Sequence, residues 1–153
     1  MTKKIPLIYS CSGCSSAAQM TNYLAVQLDR RGIAEMSCIT GIGGNISTLV
    51  KKAKSDRDIV VIDGCPLSCS KACLRNHQIE PAIHIELSSL GVKKLLHQDF
   101  NVEEAKTILE MIQKQISGPR FSHEMPPTKK IIIPFQNDVR NVVKEPKYKA
   151  KSI

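Results

Sequence analysis

The chain has 153 residues, 42% of them hydrophobic, which suits one folded domain with a sizeable core and excludes a disordered chain. Its formal charge of +8 is uneven: residues 119–153 carry a net +5 and residues 1–118 only +3, so the excess reads as a solvated basic tail rather than a nucleic-acid surface. No apolar run approaches the roughly 20 residues that cross a bilayer, and no signal-peptide core precedes Ser10, Cys11 and Ser12, so no membrane partner and a cytoplasmic location are expected.

Ile5–Ser10 reads as a first strand, with Pro6 tolerable near its start. Ser12 to Arg31 reads as a helix stopped by Gly32, with Ala17, Met20, Leu24 and Leu28 on one face. Glu35–Thr40 is a second strand, followed by a tight turn at Gly41-Ile-Gly43-Gly44 and a short helix over Ile46–Lys54. Ile59–Asp63 is a run of β-branched residues without polar alternation, the pattern of a fully buried strand. Gly64-Cys65-Pro66 starts a third helix, since proline fits a first helical position. Ala82–Leu87 is a fourth strand. Val102–Ile116 is a helix capped by Asn101, with Glu104 in the capping-box place, Gly118-Pro119 at its end and a stripe of Ala105, Ile108, Leu109, Ile112 and Ile116.

Strand–helix repetition implies a mainly parallel sheet of about four or five strands with right-handed crossovers. The fold class is therefore α/β, a Rossmann-like three-layer sandwich over residues 1–118. Aromatic residues make up only 4% of the chain and Trp is absent, which suits such a core of Ile, Val, Leu, Met and Ala. Residues 119–153 form a basic C-terminal extension. In it, Pro126-Pro127 reads as a linker and Lys129–Phe135 as an added edge strand, a homodimer contact or a floppy tail.

Six cysteines in a reducing compartment read as metal ligands or redox thiols before they read as disulfides. Cys11 follows the first strand, Cys38 falls late in the second and Cys65 follows the third. In an open parallel sheet the crevice beyond the strands' carboxyl ends is where ligands bind. Cys65, Cys69, Cys73 and His77 recur at four-residue steps, rising about 6 Å per step and about 12 Å over two. One tetrahedral zinc, with Zn–S near 2.3 Å, cannot span the longer interval on one helix. Cys65 with Cys69 is the favoured pair, and Cys11 and Cys38 complete a four-thiolate set. Cys14 and Cys73 are the alternative ligands. A strand cysteine such as Cys38 is also commonly a small buried hydrophobe. His77 reads as helix surface or as a support behind the ligands, and His84, His97 and His123 read as ordinary.

Tyr9-Ser-Cys11-Ser-Gly13-Cys14, Arg31-Gly-Ile-Ala-Glu-Met-Ser-Cys38 and Asp63-Gly64-Cys65-Pro66-Leu-Ser-Cys69 together resemble the DGC-domain family, named for the Asp-Gly-Cys triplet. The resemblance spans residues 5–97. It implies a prokaryotic zinc-binding protein whose four metal cysteines, carried onto matching positions, are Cys11, Cys38, Cys65 and Cys69. It implies no reaction.

Three chemistries compete on this pattern. A closed four-thiolate zinc site is structural or a transfer site, without an open position for catalysis. The same thiols suit an iron–sulfur cluster. Cys11-x-x-Cys14 between a strand and a helix suits a thiol redox enzyme, because a helix N-terminus lowers a thiol pKa. Cys69 and Arg75 match phosphatase-loop spacing, but the residues between them read as helical, which uses up the amides a phosphate needs. Gly41–Asn45 reads as a plain turn, since it lacks the lysine of a P-loop.

Overall fold

The computed structural model describes residues 5–118; the basic extension, with every reading made of it, lies outside the described residues. Four strands form one parallel sheet: β1 (Leu7–Ser10), β2 (Glu35–Met36), β3 (Ile59–Asp63) and β4 (Ile83–Glu86), in the order β2-β1-β3-β4. The register is Leu7 to Ile59 through Ser10 to Ile62 across β1 and β3, and Val60 to Ile83 through Asp63 to Glu86 across β3 and β4.

Period-two alternation splits the central strands between two cores. Ile8, Val60 and Ile62 face α1 (Ser16–Arg30) and α5 (Val102–Ser117). Leu7, Tyr9, Ile59 and Val61 face the layer of α2 (Ile39–Gly43), α3 (Ser47–Ala53) and α4 (Cys69–Arg75), meeting Ile42, Ala53 and Leu74. This is the expected three-layer α/β sandwich. The stripes expected on α1 and α5 are the faces the structure buries. Asn101 caps α5 by accepting the N–H groups of Glu103 and Glu104.

Most ends agree with expectation to within two residues, and the three larger differences lie at the cysteine end of the sheet. α1 begins at Ser16, because Ser15 caps it by accepting the N–H of Ala18 at 3.3 Å. β2 ends at Met36, and Cys38 is the residue before α2 rather than a strand residue. The expected turn at Gly41–Gly44 is thus largely helix. Two glycines lower helix propensity there, but tertiary packing overrides it. Finally, α4 begins at Cys69, not at Pro66. Ser68 sits in the left-handed region (φ 48°), which breaks the helix before it can reach back to Cys65. Cys65, Cys69, Cys73 and His77 therefore do not share one helix.

Candidate metal centre

The chain runs from β1 to β2 in one direction and on to β3 in the other, so the switch point lies between β1 and β3. Cys11 and Cys65 emerge there. Cys11 extends the ladder by one bond, its N–H donating to the Ile62 carbonyl at 3.0 Å. Cys38 follows β2 on the neighbouring strand, and Cys69 opens α4 after the Gly64–Ser68 loop. All four expected ligands thus sit at or just past the carboxyl end of the sheet.

Their side chains are differently engaged. Cys11 is buried; its Sγ lies 3.3 Å from the Thr21 hydroxyl and accepts the Gly64 N–H at 3.2 Å. Burial pushes its thiol pKa up, the Thr21 and Gly64 hydrogen bonds pull it back, and the nearby Asp63 carboxylate pushes it up again. Cys38 and Cys69 are exposed, and Cys65 is half-buried with the Lys94 ammonium 3.7 Å from its sulfur. Of the alternative ligands, Cys14 is exposed in the loop before α1. Cys73 packs against α2 so closely that a Cβ on Gly43 would come within 3.2 Å of its sulfur. Burial raises the Cys73 thiol, with Cys69 and Asp63 adding to the effect. His77 is committed elsewhere, its Nε2 lying 2.9 Å from the Ile42 carbonyl.

Among the described residues, no three Cys, His, Asp or Glu side chains stand together as a ligand group. The backbone brings Cys11, Cys38, Cys65 and Cys69 to one rim, while each sulfur keeps its local partner or faces solvent. The donor chemistry nevertheless suits a soft ion: four thiols, three of them partly or fully exposed, around a short loop. Next to Cys69, the Ser70 hydroxyl is buried and makes no hydrogen bond, a spare donor of the kind that supports a ligated sulfur. A groove lined by Lys54, Arg57, His77 and Glu80 lies at the opposite, amino-terminal end of β3, away from these groups.

The sequence reading missed the residues that fix this rim. Asp63 is fully buried and accepts the N–H groups of Ser70 at 2.9 Å and Lys71 at 3.2 Å, capping α4 from a distance. His84, expected to be ordinary, lies with Nε2 3.0 Å from the same carboxylate. Burial alone would raise Asp63, but the hydrogen bonds from His84, Ser70 and Lys71 outweigh it, leaving the carboxyl below its ordinary value. The triplet thereby has three physical tasks. Asp63 holds α4, Cys65 reaches the rim, and Gly64 admits α1, since a Cβ there would meet the Ala17 carbonyl carbon at 2.9 Å and its oxygen at 3.0 Å.

Those tasks fall on the segment that also decides kinship. The DGC domain matches residues 7–112. The chain belongs to the DGC-domain family. A DGC relative, the anaerobic and virulence modulator AnvM of Pseudomonas aeruginosa, is 44% identical over 113 residues, covering 74% of this chain and 86% of the relative. No solved structure matches this DGC chain. Among its described residues no helix is long and apolar enough to cross a membrane.

Proposed function

We propose that this DGC domain binds one zinc ion through Cys11, Cys38, Cys65 and Cys69. The observation that carries the reading is the position of these four residues at the carboxyl ends of β1, β2 and β3, on both sides of the switch point, with Asp63 bracing the loop between the last two. Binding would bring the four sulfurs together, and a ligated thiolate can still accept the hydrogen bonds that Gly64 and Lys94 now give to Cys11 and Cys65. The ion supplies the charge that deprotonates them, so the raised Cys11 thiol is no obstacle. A bound ion closed by four thiolates serves as a cross-link between the strand ends rather than as a Lewis acid.

The residues' own work is to shape that closure. Gly64 brings its N–H to Cys11, Thr21 braces the same sulfur, and Asp63 fixes the start of α4 and with it Cys69. The relative's role as a modulator agrees with a site that changes a protein's shape or partners on loading. The redox alternative through Cys11 and Cys14 draws less support. α1 starts two residues beyond Cys14, and Cys11 is buried with its thiol pushed up, the opposite of an activated nucleophile.

Elemental analysis of protein purified with zinc tests the reading; about one equivalent per chain is expected for a single tetrahedral site. Replacing Cys65 and Cys69 together by Ser should abolish uptake, and Cys73→Ser should retain it. Loss at Cys73 with retention at Cys38 would sink this ligand set. A brown protein with visible absorption would transfer the site to an iron–sulfur cluster.

A further inference from the structure

The connection from the turn Leu87–Leu90 to α5 passes the cysteine rim as an irregular strap. Val92 and Phe100 anchor its ends in the core, and between them Ser16 holds it beside the rim. The Ser16 N–H donates to the Leu95 carbonyl at 2.9 Å, the Ser16 hydroxyl donates to the Lys93 carbonyl at 3.2 Å, and the Leu95 N–H donates to the same hydroxyl at 3.0 Å. Ser16 is buried at the first position of α1. Its three hydrogen bonds bracket Lys94 on both sides, and the Lys94 ammonium lies 3.7 Å from Cys65 Sγ. A lysine on an irregular segment would ordinarily be free to point anywhere. Here the backbone on either side is pinned to the helix that starts beside the rim.

We propose that Lys94 is a positioning residue of the metal site, set against Cys65 by the strap that Ser16 holds, where it slows release of the bound ion. This rests on the four-thiolate reading above. Four thiolates around a divalent ion leave a net charge of minus two, which repels further electron density and favours protonation or loss of a ligand. An ammonium beside one of those sulfurs offsets part of that charge and holds the Cys65 arm in place. Lys94 acts through Cys65 and does not touch the ion.

The test compares zinc-loaded full-length wild type, Lys94→Met, Lys94→Arg and Ser16→Ala, following zinc transfer to an excess of a chromogenic chelator at low and high salt. Lys94→Met should release zinc about two- to fivefold faster at low salt, the scale of one exposed charge pair, and the gap should shrink at high salt. Lys94→Arg should restore most of the wild-type rate, and Ser16→Ala should speed release in the same direction. The metal-free melting temperature of Lys94→Met should equal that of the metal-free wild type, which separates charge compensation from a folding defect. Equal release by wild type and Lys94→Met at low salt overturns the proposal while leaving the zinc site standing. A wild type that takes up no zinc overturns the four-thiolate reading and this proposal with it.

Discussion

The Asp63 carboxylate, buried at the end of β3, accepts the backbone N–H of Ser70, so the last residue of a strand caps a helix that begins six residues later. The cap does not come from α4's own N-terminal flank, because Ser68 makes no side-chain cap bond. The loop that carries Cys65 is therefore tied at both ends by one side chain.

Asp63→Ala should destabilise the metal-free protein by about 1–3 kcal/mol, because two amides at the start of α4 and the His84 ring lose a buried partner. The pH dependence has a definite sign. A carboxyl held below its ordinary value contributes fully above the unfolded-state value, about 4, and loses that contribution as the pH falls through the lower folded-state value. Urea midpoints of the metal-free wild type should fall as the pH drops below about 4, and Asp63→Asn should lack that component. An Asp63→Asn variant with the full wild-type acid dependence would show that the carboxylate is not what responds.

Gly64→Ala should cost about 1–3 kcal/mol, and more if α1 cannot shift. The obstruction is the Ala17 backbone carbon at 2.9 Å and oxygen at 3.0 Å rather than a side-chain tip that could swing away. The denaturation midpoint of Gly64→Ala, set beside that of a surface change such as Lys114→Ala, measures the effect; matching midpoints would mean α1 yields freely.

Much of the fold was legible because it depends on periodicity. The α5 stripe from Ala105 to Ile116 and the apolar run Ile59–Asp63 are each decided by local pattern, and the structure buries both. What the sequence hid depends on contacts between distant residues. The helix at Ile39–Gly43 contains two glycines and β-branched residues, and it is held by packing that local propensity does not report. Gly41 lies under Leu49, and Gly43 lies against Cys73. The left-handed Ser68 that delays α4 has no composition signal, and neither has the pairing of His84 with Asp63 across two strands. At the candidate site, the triplet and the strand ends pointed to Cys11, Cys38, Cys65 and Cys69. Lys94 carries no local signal, because the Ser16 hydrogen bonds on either side of it join residues far apart in the chain.

Asn101→Ala should lower stability by about 1 kcal/mol, the usual worth of a side-chain cap, since the Glu103 and Glu104 amides would exchange a fixed acceptor for water. Circular dichroism melts check this. Zinc uptake should be unaffected, because α5 contributes no thiol to the rim.

Two core truncations should separate stability from metal binding. Leu74 and Leu109 are both buried, and replacing either by Ala should cost about 2–5 kcal/mol. Leu74 lies on α4, in the core beneath the helix that opens with Cys69, and Leu109 lies on α5 across the sheet. At a temperature where both variants remain folded, Leu74→Ala should bind zinc more weakly than Leu109→Ala, because only the former loosens a helix that carries a proposed ligand. Equal affinities, measured by competition with a chelator, would mean that the placement of α4 does not govern the site.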